Sequence, residues 1–132
     1  MLVNLHISLL SSMKAKMPST YIIDATNRTL GRVASEAAHA LLGKRSANFT
    51  KNEVEPIKVV IENVGKLHLP ERRVKGKVYS RYSGYPGGLF FTSMKEMIAK
   101  KGIEEVVKKT VDGMIPRNKL RTPRMKNLTV KA

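Results

Sequence analysis

The sequence predicts an α/β fold with a largely parallel sheet and helices on both of its faces. The first observation is a β-branched run, YIIDA at residues 21–25, followed by apolar residues at helical spacing as far as Gly43. The second is that strand-like and helix-like segments keep alternating along the chain. Parallel strands need a long crossover connection, usually a helix, so this alternation favours a layered α/β domain.

Four short apolar or alternating segments are predicted strands: residues 21–25, 58–64, 77–82 and 128–131. The first helix is predicted from Leu30 to Gly43, because the apolar residues repeat at helical spacing and a glycine suits the position just after a last turn.

A second helical region is predicted after the glycine-rich loop at residues 83–88. Ser93 and Glu96 have the spacing of a capping box, in which the serine side chain accepts a bond from the amide three residues on. A helix is therefore predicted to begin there, to break at Gly102 and to resume as far as Gly113.

The chain is strongly basic, and its charge is unevenly distributed. Its 132 residues include 25 Lys and Arg against 10 Asp and Glu, a net charge of +15 with a pI near 10.3. Residues 65–132 carry +12 of this charge and residues 1–64 carry +3. A compact domain this basic usually has a polyanionic partner. No run approaches the roughly 18–20 apolar residues of a membrane span, so nucleic acid is the predicted partner, bound mainly by the second half.

One domain with one core is expected from this length and from an apolar content of 42%. There is no cysteine, which excludes disulfides, thiol catalysis and thiolate metal sites and fits a reducing, cytoplasmic setting; no metal or cofactor is predicted. Residues 1–19 are expected to be a loose N-terminal tail, or a start codon assigned too early with Met13 or Met17 as the natural beginning. Residues 20–132 then form the domain.

Enzymatic chemistry has few candidates. GKRS at residues 43–46 lacks the first glycine and the adjacent hydroxyl of a P-loop, and it follows a helix where a P-loop precedes one. His6, His39 and His68 are interpreted as solvated or structural, and Asp24 as a capping or turn residue. No catalytic constellation is predicted.

Two segments contain many basic residues and almost no acidic ones. Residues 66–81 contain six basic residues and one acid, and residues 114–132 contain six basic residues and no acid. A solvated face usually mixes the two signs, so both segments are predicted to contact nucleic acid.

The loop between the strand at residues 77–82 and the capping box adds aromatic and glycine residues to this surface. Tyr82 and Tyr85 could stack on unpaired RNA bases, whereas Tyr79 is interpreted as a core residue on an alternating strand. The three glycines of the loop would let its backbone approach a phosphate closely.

Several segments resemble one known family in order and spacing. They are YIIDATNRTLGRVASEAAHALLGK, KVYSRYSGYPGG, EMIAKKG and VDGMIPRNKL. Together they resemble the bacterial-type ribosomal protein L-thirteen family of the large subunit, over about residues 20–132. YSGYPGG and GMIP at this separation are far more specific than any single motif above.

The resemblance implies a structural ribosomal protein that binds large-subunit ribosomal RNA early in assembly and lies beside other large-subunit proteins, without a small-molecule substrate or a membrane. It implies a three-layer α/β/α domain with a four-stranded, largely parallel sheet and basic loop extensions. Together with the charge distribution, it gives these predicted RNA-binding residues: Lys44, Arg45, Arg72, Arg73, Lys75, Lys77, Arg81, Tyr82, Gly84, Tyr85, Gly87, Gly88, Met114, Pro116, Arg117, Lys119, Arg121, Arg124 and Lys126.

The sequence departs from the family pattern at two places. Asp112 stands where the family has a basic residue, which weakens a direct phosphate contact there. Residues 120–123 replace a Leu-Gly-Arg that leads into a short helix, and because proline suits only the first turn, that helix is expected to start later or to be lost.

Two alternatives to a ribosomal role stay open at this point. A free RNA-binding module that regulates a transcript would use the same residues, and co-sedimentation with large subunits separates it from a ribosomal protein. A nucleotide-using enzyme is the other alternative, and thermal stabilisation by nucleoside phosphates would reveal it.

Overall fold

The computed structural model describes residues 19–132. The predicted tail therefore lies outside the described residues, except for Ser19, which begins the first strand. The elements in chain order are β1 Ser19–Asp24, α1 Leu30–Leu41, β2 Ile57–Glu62, a 3₁₀ turn Val64–Lys66, α2 Glu71–Gly76, β3 Val78–Tyr82, β4 Leu89–Ser93, α3 Met94–Lys101, α4 Ile103–Met114, α5 Arg121–Lys126 and β5 Leu128–Val130.

The main sheet has three parallel strands in the order β1-β2-β5. Ile23, Ile61 and Val130 are register partners across it and are buried on the face that packs against α1 and α4. On the opposite face, Ile22 is 61% exposed and Thr129 is exposed. The two long helices contact each other on one face of the sheet, so the prediction of helices on both faces is wrong for these helices.

The third predicted strand does not join this sheet. β3 pairs with β4 in a separate antiparallel hairpin, with Val78 opposite Ser93 and Tyr82 opposite Leu89. Only six residues connect the two strands, and a connection that short joins antiparallel neighbours, whereas a parallel pair needs a crossover of a dozen residues or more. The predicted four-stranded, largely parallel sheet is therefore wrong: the fold is mixed α/β, with a three-stranded parallel sheet and a two-stranded antiparallel one.

The predicted helices are confirmed, with their ends set by the residues that suggested them. Gly43 follows α1 with a φ of +78°, and its amide donates to the carbonyl oxygen of Ala40 at 3.0 Å. The Ser93 hydroxyl oxygen accepts from the amide of Glu96 at 3.2 Å, which caps α3. Gly102, with a φ of +85°, separates α3 from α4.

The core joins α1, α4 and the sheet. Val33, Ala34 and Ala37 on α1 are fully buried, as are Val106 and Val107 on α4. Small side chains on α1 let its backbone approach α4 and β2 closely, and the valines fill the space between them.

The short helix that contains Pro123 is present. α5 begins at Arg121, so Pro123 is its third residue and lies in the first turn, where the absence of a backbone N–H removes no intrahelical bond. Within the described part of the chain, no helix is both long and apolar enough to cross a membrane.

Candidate nucleic-acid interface

The glycines of the loop at residues 83–88 have two different structural roles. Gly84 and Gly87 have φ angles of +89° and +73°, and a side-chain carbon built on either would meet nothing within 4 Å. Gly88 is buried, and such a carbon on it would overlap the Ser83 hydroxyl and lie 3.0 Å from the carbonyl oxygen of Tyr85. The loop therefore needs glycine for backbone conformation at Gly84 and Gly87 and for space at Gly88.

The loop and its hairpin present aromatic rings to solvent. Tyr82 is 63% exposed and Tyr85 is 75% exposed, and the Arg81 guanidinium lies 5.6 Å from the ring centre of Phe90. Phe91 is also exposed, on the face of the hairpin that it shares with Tyr82. Sequence reasoning missed both phenylalanines. The signal that could have found them is LFF at residues 89–91, a strand-like apolar run directly after a double glycine.

Tyr79 lies on the inner side of the hairpin. It is half-buried and packs against the core, which confirms its interpretation as a core residue. The ammonium groups of Lys77 and Lys109 lie 5.5 Å and 4.5 Å from the centre of its ring. Burial raises the pKa of the Tyr79 hydroxyl, an effect that the Arg73 charge opposes.

A cleft of about 480 Å³ lies between the first basic segment and α4, and Met114, the first residue of the second basic segment, also lines it. Its walls include Arg73 of α2, Lys77 and Tyr79 of the hairpin region, and Lys109 and Met114 of α4. Within residues 19–132, none of its three cations forms an ion pair with a carboxylate. Lys109 was missed because its role depends on how α4 packs beside the hairpin, which no local pattern shows. The cleft is a cationic, partly aromatic concavity suited to a phosphate backbone.

The remaining cations of the first basic segment are on the surface. Arg72, Lys75 and Arg81 are exposed. Lys75 pairs with Glu71 at 3.1 Å, but both side chains are largely solvated, so this pair holds the lysine only weakly.

The cations after α1 are arranged differently. Lys44 is exposed, whereas Arg45 donates to Glu36 at 3.1 Å and its guanidinium lies 4.2 Å from the ring centre of Tyr21. Glu36 also accepts from the Tyr21 hydroxyl at 2.7 Å and from Arg28 at 2.6 Å. These partners, the Tyr21 hydroxyl first, lower the pKa of Glu36. Arg45 is thus held in a fixed orientation with about half of its side chain exposed.

The C-terminal basic segment divides into exposed and engaged residues. Met114, Pro116, Arg117, Lys119 and Lys126 are exposed.

Two arginines of the same segment are engaged within the protein. Arg121 forms an ion pair with Asp112, and its Nε donates to Oδ1 at 2.6 Å. Arg124 is 2% exposed, and its Nη2 donates to the carbonyl oxygens of Lys51 at 3.3 Å and Glu53 at 3.2 Å. The structure therefore places the Arg124 side chain inside the domain.

Comparison with known sequences shows the family of this chain. A profile of the family described as Ribosomal protein L13 matches residues 18–131. The chain belongs to the ribosomal protein L13 family. The large ribosomal subunit protein uL13 of Paraburkholderia phytofirmans is 40% identical over 115 residues, which cover 85% of this chain and 78% of the relative. That of Geobacter sp. strain M21 is 40% identical over 110 residues, covering 83% and 77%.

Membership in the L13 family confirms the resemblance noted in the sequence and supports a structural role in the large ribosomal subunit. The basic cleft and the aromatic hairpin are therefore features of a ribosomal protein. Of the titratable groups considered for catalysis, His6 lies outside the described residues.

Asp24 closes a turn, as the sequence suggested. Its Oδ1 accepts from the amide and hydroxyl of Thr26 at 3.1 and 2.7 Å and from the Asn63 side chain at 3.1 Å. These bonds, the Thr26 hydroxyl first, lower its pKa. His39 and His68 are exposed, and among the described residues no group of three or more His, Asp or Glu side chains could hold a metal ion.

Proposed function

We propose that this chain is a non-catalytic constituent of the large ribosomal subunit that binds large-subunit ribosomal RNA, supports early subunit assembly and acts in the cytoplasm, beside other large-subunit proteins. The observation that carries the proposal is the cleft between α2, the hairpin and the end of α4. Three cations without carboxylate partners among the described residues line it, in a chain whose family is ribosomal.

The proposed mechanism is neutralisation of RNA phosphates with release of condensed counterions. Each phosphate contact makes the binding constant fall more steeply with salt, by about 0.9 in the logarithmic slope for a duplex and 0.7 for a single strand. The cleft cations, with Arg72, Lys75, Arg81, Arg117, Lys119 and Lys126, supply these contacts. RNA of this kind is recognised largely by shape and by its unpaired bases.

The aromatic hairpin contributes a second kind of contact. Tyr82 and Tyr85 have free ring faces on which unpaired bases can stack, and the Gly84 and Gly87 positions keep the loop backbone accessible. Met114 adds apolar contact in the cleft, and the exposed Pro116 adds apolar contact outside it. Of the arginines near the C-terminus, Arg121 contributes less to RNA binding because Asp112 neutralises its charge. Arg124 is buried and supports the binding surface by anchoring the loop at residues 51–53.

A charge-matched pair of variants tests the proposal. Arg73→Gln, Lys77→Gln and Lys109→Gln together remove the three cations of the cleft, whereas Lys95→Gln, Lys100→Gln and Lys101→Gln remove three exposed cations of α3 that do not line it. Both triple variants lower the net charge by the same amount.

The affinity of each variant for transcribed large-subunit ribosomal RNA is measured across a salt series. The cleft variant should flatten the logarithmic salt slope by roughly two to three, since three contacts are lost. The α3 variant should leave the slope close to that of the unaltered protein. Equal slopes for the two variants would refute the cleft as the binding site.

A further inference from the structure

A second, smaller cavity lies at the other end of α1, apart from the basic cleft. Its volume is about 270 Å³, and it is formed by the loop after α1 and by the segment that leads into α5. Three cations line it, Lys44, Lys51 and Arg124, and no carboxylate is among its described lining residues. A concavity with three cations and no acid favours an anion.

Arg124 gives this cavity a feature that packing alone does not explain. The side chain is almost fully buried, it forms no ion pair within residues 19–132, and its Nε has no hydrogen-bond partner there. Its Nη2 is satisfied only by two carbonyl oxygens, at 3.2 and 3.3 Å. A buried charge without a counter-charge is costly, and a bound anion in the cavity would offset that cost.

The rest of the lining narrows the chemistry of the ligand. Phe49 is 37% exposed and lines the cavity with the aliphatic surfaces of Leu42 and Pro116. Asn118 adds a side-chain amide whose oxygen accepts from the amide of Leu120 at 3.2 Å and whose NH₂ group can donate to a base. A ring for stacking, an amide for a base edge and cations for a phosphate together match a nucleotide. The cavity volume is below the roughly 300–1,000 Å³ of ordinary small-molecule pockets, so the cavity would enclose only part of a nucleotide.

We infer that this cavity is a nucleotide site, which holds a phosphate against Lys44, Lys51 and Arg124 and a base against Phe49. The nucleotide has two possible sources, an unstacked nucleotide of the bound RNA or a free nucleotide. The first source rests on the proposed function, and the second does not.

Two variants and a control test the site in the full chain. Phe49→Leu removes the aromatic ring and keeps an apolar side chain, Lys51→Gln removes an exposed cation of the lining, and Lys95→Gln is the control because this exposed lysine lies outside the cavity. The probes are transcribed large-subunit ribosomal RNA, adenosine 5′-monophosphate and inorganic phosphate.

With the RNA probe, Phe49→Leu should weaken binding by roughly five-fold, since stacking on one base is lost. Lys51→Gln should flatten the logarithmic salt slope by about one. Ultraviolet cross-linking followed by mass spectrometry should place a nucleotide adduct on Phe49, which a loss of fold would not produce. These results assign the site to RNA.

With the free probes, amide resonances of Lys51 and Asn118 that shift saturably with adenosine 5′-monophosphate, and not with inorganic phosphate, would assign the site to a free nucleotide. RNA binding that is as strong in both cavity variants as in Lys95→Gln, without a Phe49 adduct and without a saturable nucleotide shift, would overturn the inference. That outcome would leave the proposed function standing. Failure of the unaltered protein to bind the RNA would instead refute the proposed function.

Discussion

Replacing Asp112 with asparagine should strengthen RNA binding while weakening the free protein. Asp112 holds Arg121 through a two-point ion pair, in which the Nε–Oδ1 distance is 2.6 Å. The asparagine variant keeps the size of the side chain and removes its charge. Arg121 then becomes available for a phosphate of the RNA, on a segment that already exposes Arg117 and Lys119.

The expected magnitudes follow from exposure and from counterion release. The side chains of Arg121 and Asp112 are 24% and 38% exposed, so the pair stabilises the free protein by about 0.2–1 kcal/mol. One additional phosphate contact steepens the logarithmic salt slope by about 0.9. Between about 50 and 200 mM salt, a roughly four-fold range, the RNA-binding constant of the variant should therefore fall about 3.5-fold more than that of the unaltered protein.

The assay is a salt series of RNA affinities for the unaltered protein, Asp112→Asn, Arg121→Gln and the double variant. Arg121→Gln should change the slope little in the unaltered background and should cancel the gain in the Asp112→Asn background. An unchanged slope for Asp112→Asn would refute the reasoning. So would a full unit of slope lost on replacing Arg121 alone, because Arg121 would then contact RNA despite its partner.

Three further predictions concern the stability of single features. Gly88→Ala should destabilise the hairpin by about 1–3 kcal/mol, which faster hydrogen exchange in β3 and β4 would reveal. Adding Ser83→Gly to this variant should recover part of the lost stability, because it removes the clashing hydroxyl; no recovery would contradict the steric explanation. Glu36 has a pKa below its ordinary value of 4.5, so its carboxylate stabilises the fold fully above that pH and less as pH falls through the lowered value. Glu36→Gln should therefore reduce the free energy of unfolding near neutral pH and not in strong acid, and an equal loss at both pH values in denaturant titrations would contradict this. Arg124→Met should lose the two bonds that hold residues 51–53, and amide hydrogen exchange in that loop should become faster; unchanged exchange would show that the arginine does not anchor it.

Local patterns predicted four of the five strands and the helices α1, α3 and α4, but neither β4 nor α2. β1 and β2 are β-branched runs, α1 repeats its apolar residues at helical spacing, and the Ser93 cap and the Gly102 break are encoded within a few residues of where they act. Such signals depend on propensity and on backbone conformation, which neighbouring residues largely determine.

Strand pairing was the part of the fold that local patterns could not supply. The β3 segment alternates as a strand in either sheet would, and its partner β4 was not recognised as a strand. The six-residue connection was the decisive signal, because it forbids the crossover that a parallel pair requires. Once β4 is recognised, the hairpin and the smaller main sheet follow.

The candidate site shows the same division. The sequence located the two basic segments, but not the contribution of Lys109, which lines the cleft with Arg73 and Lys77, or the burial of Arg124. Both depend on tertiary packing. Asp112 was recognised as unusual from the sequence, whereas its pairing with Arg121, nine residues away, required the positions of α4 and α5.

The measurement that tests the central claim most directly is sedimentation of the tagged protein from lysate on a density gradient. It is repeated after a high-salt wash and after ribonuclease treatment. The ribosomal role predicts migration with the large subunit that survives the wash and is lost when the RNA is digested. Migration only as a small free species would contradict that role for this chain and would favour a regulatory RNA-binding module or a nucleotide-using enzyme.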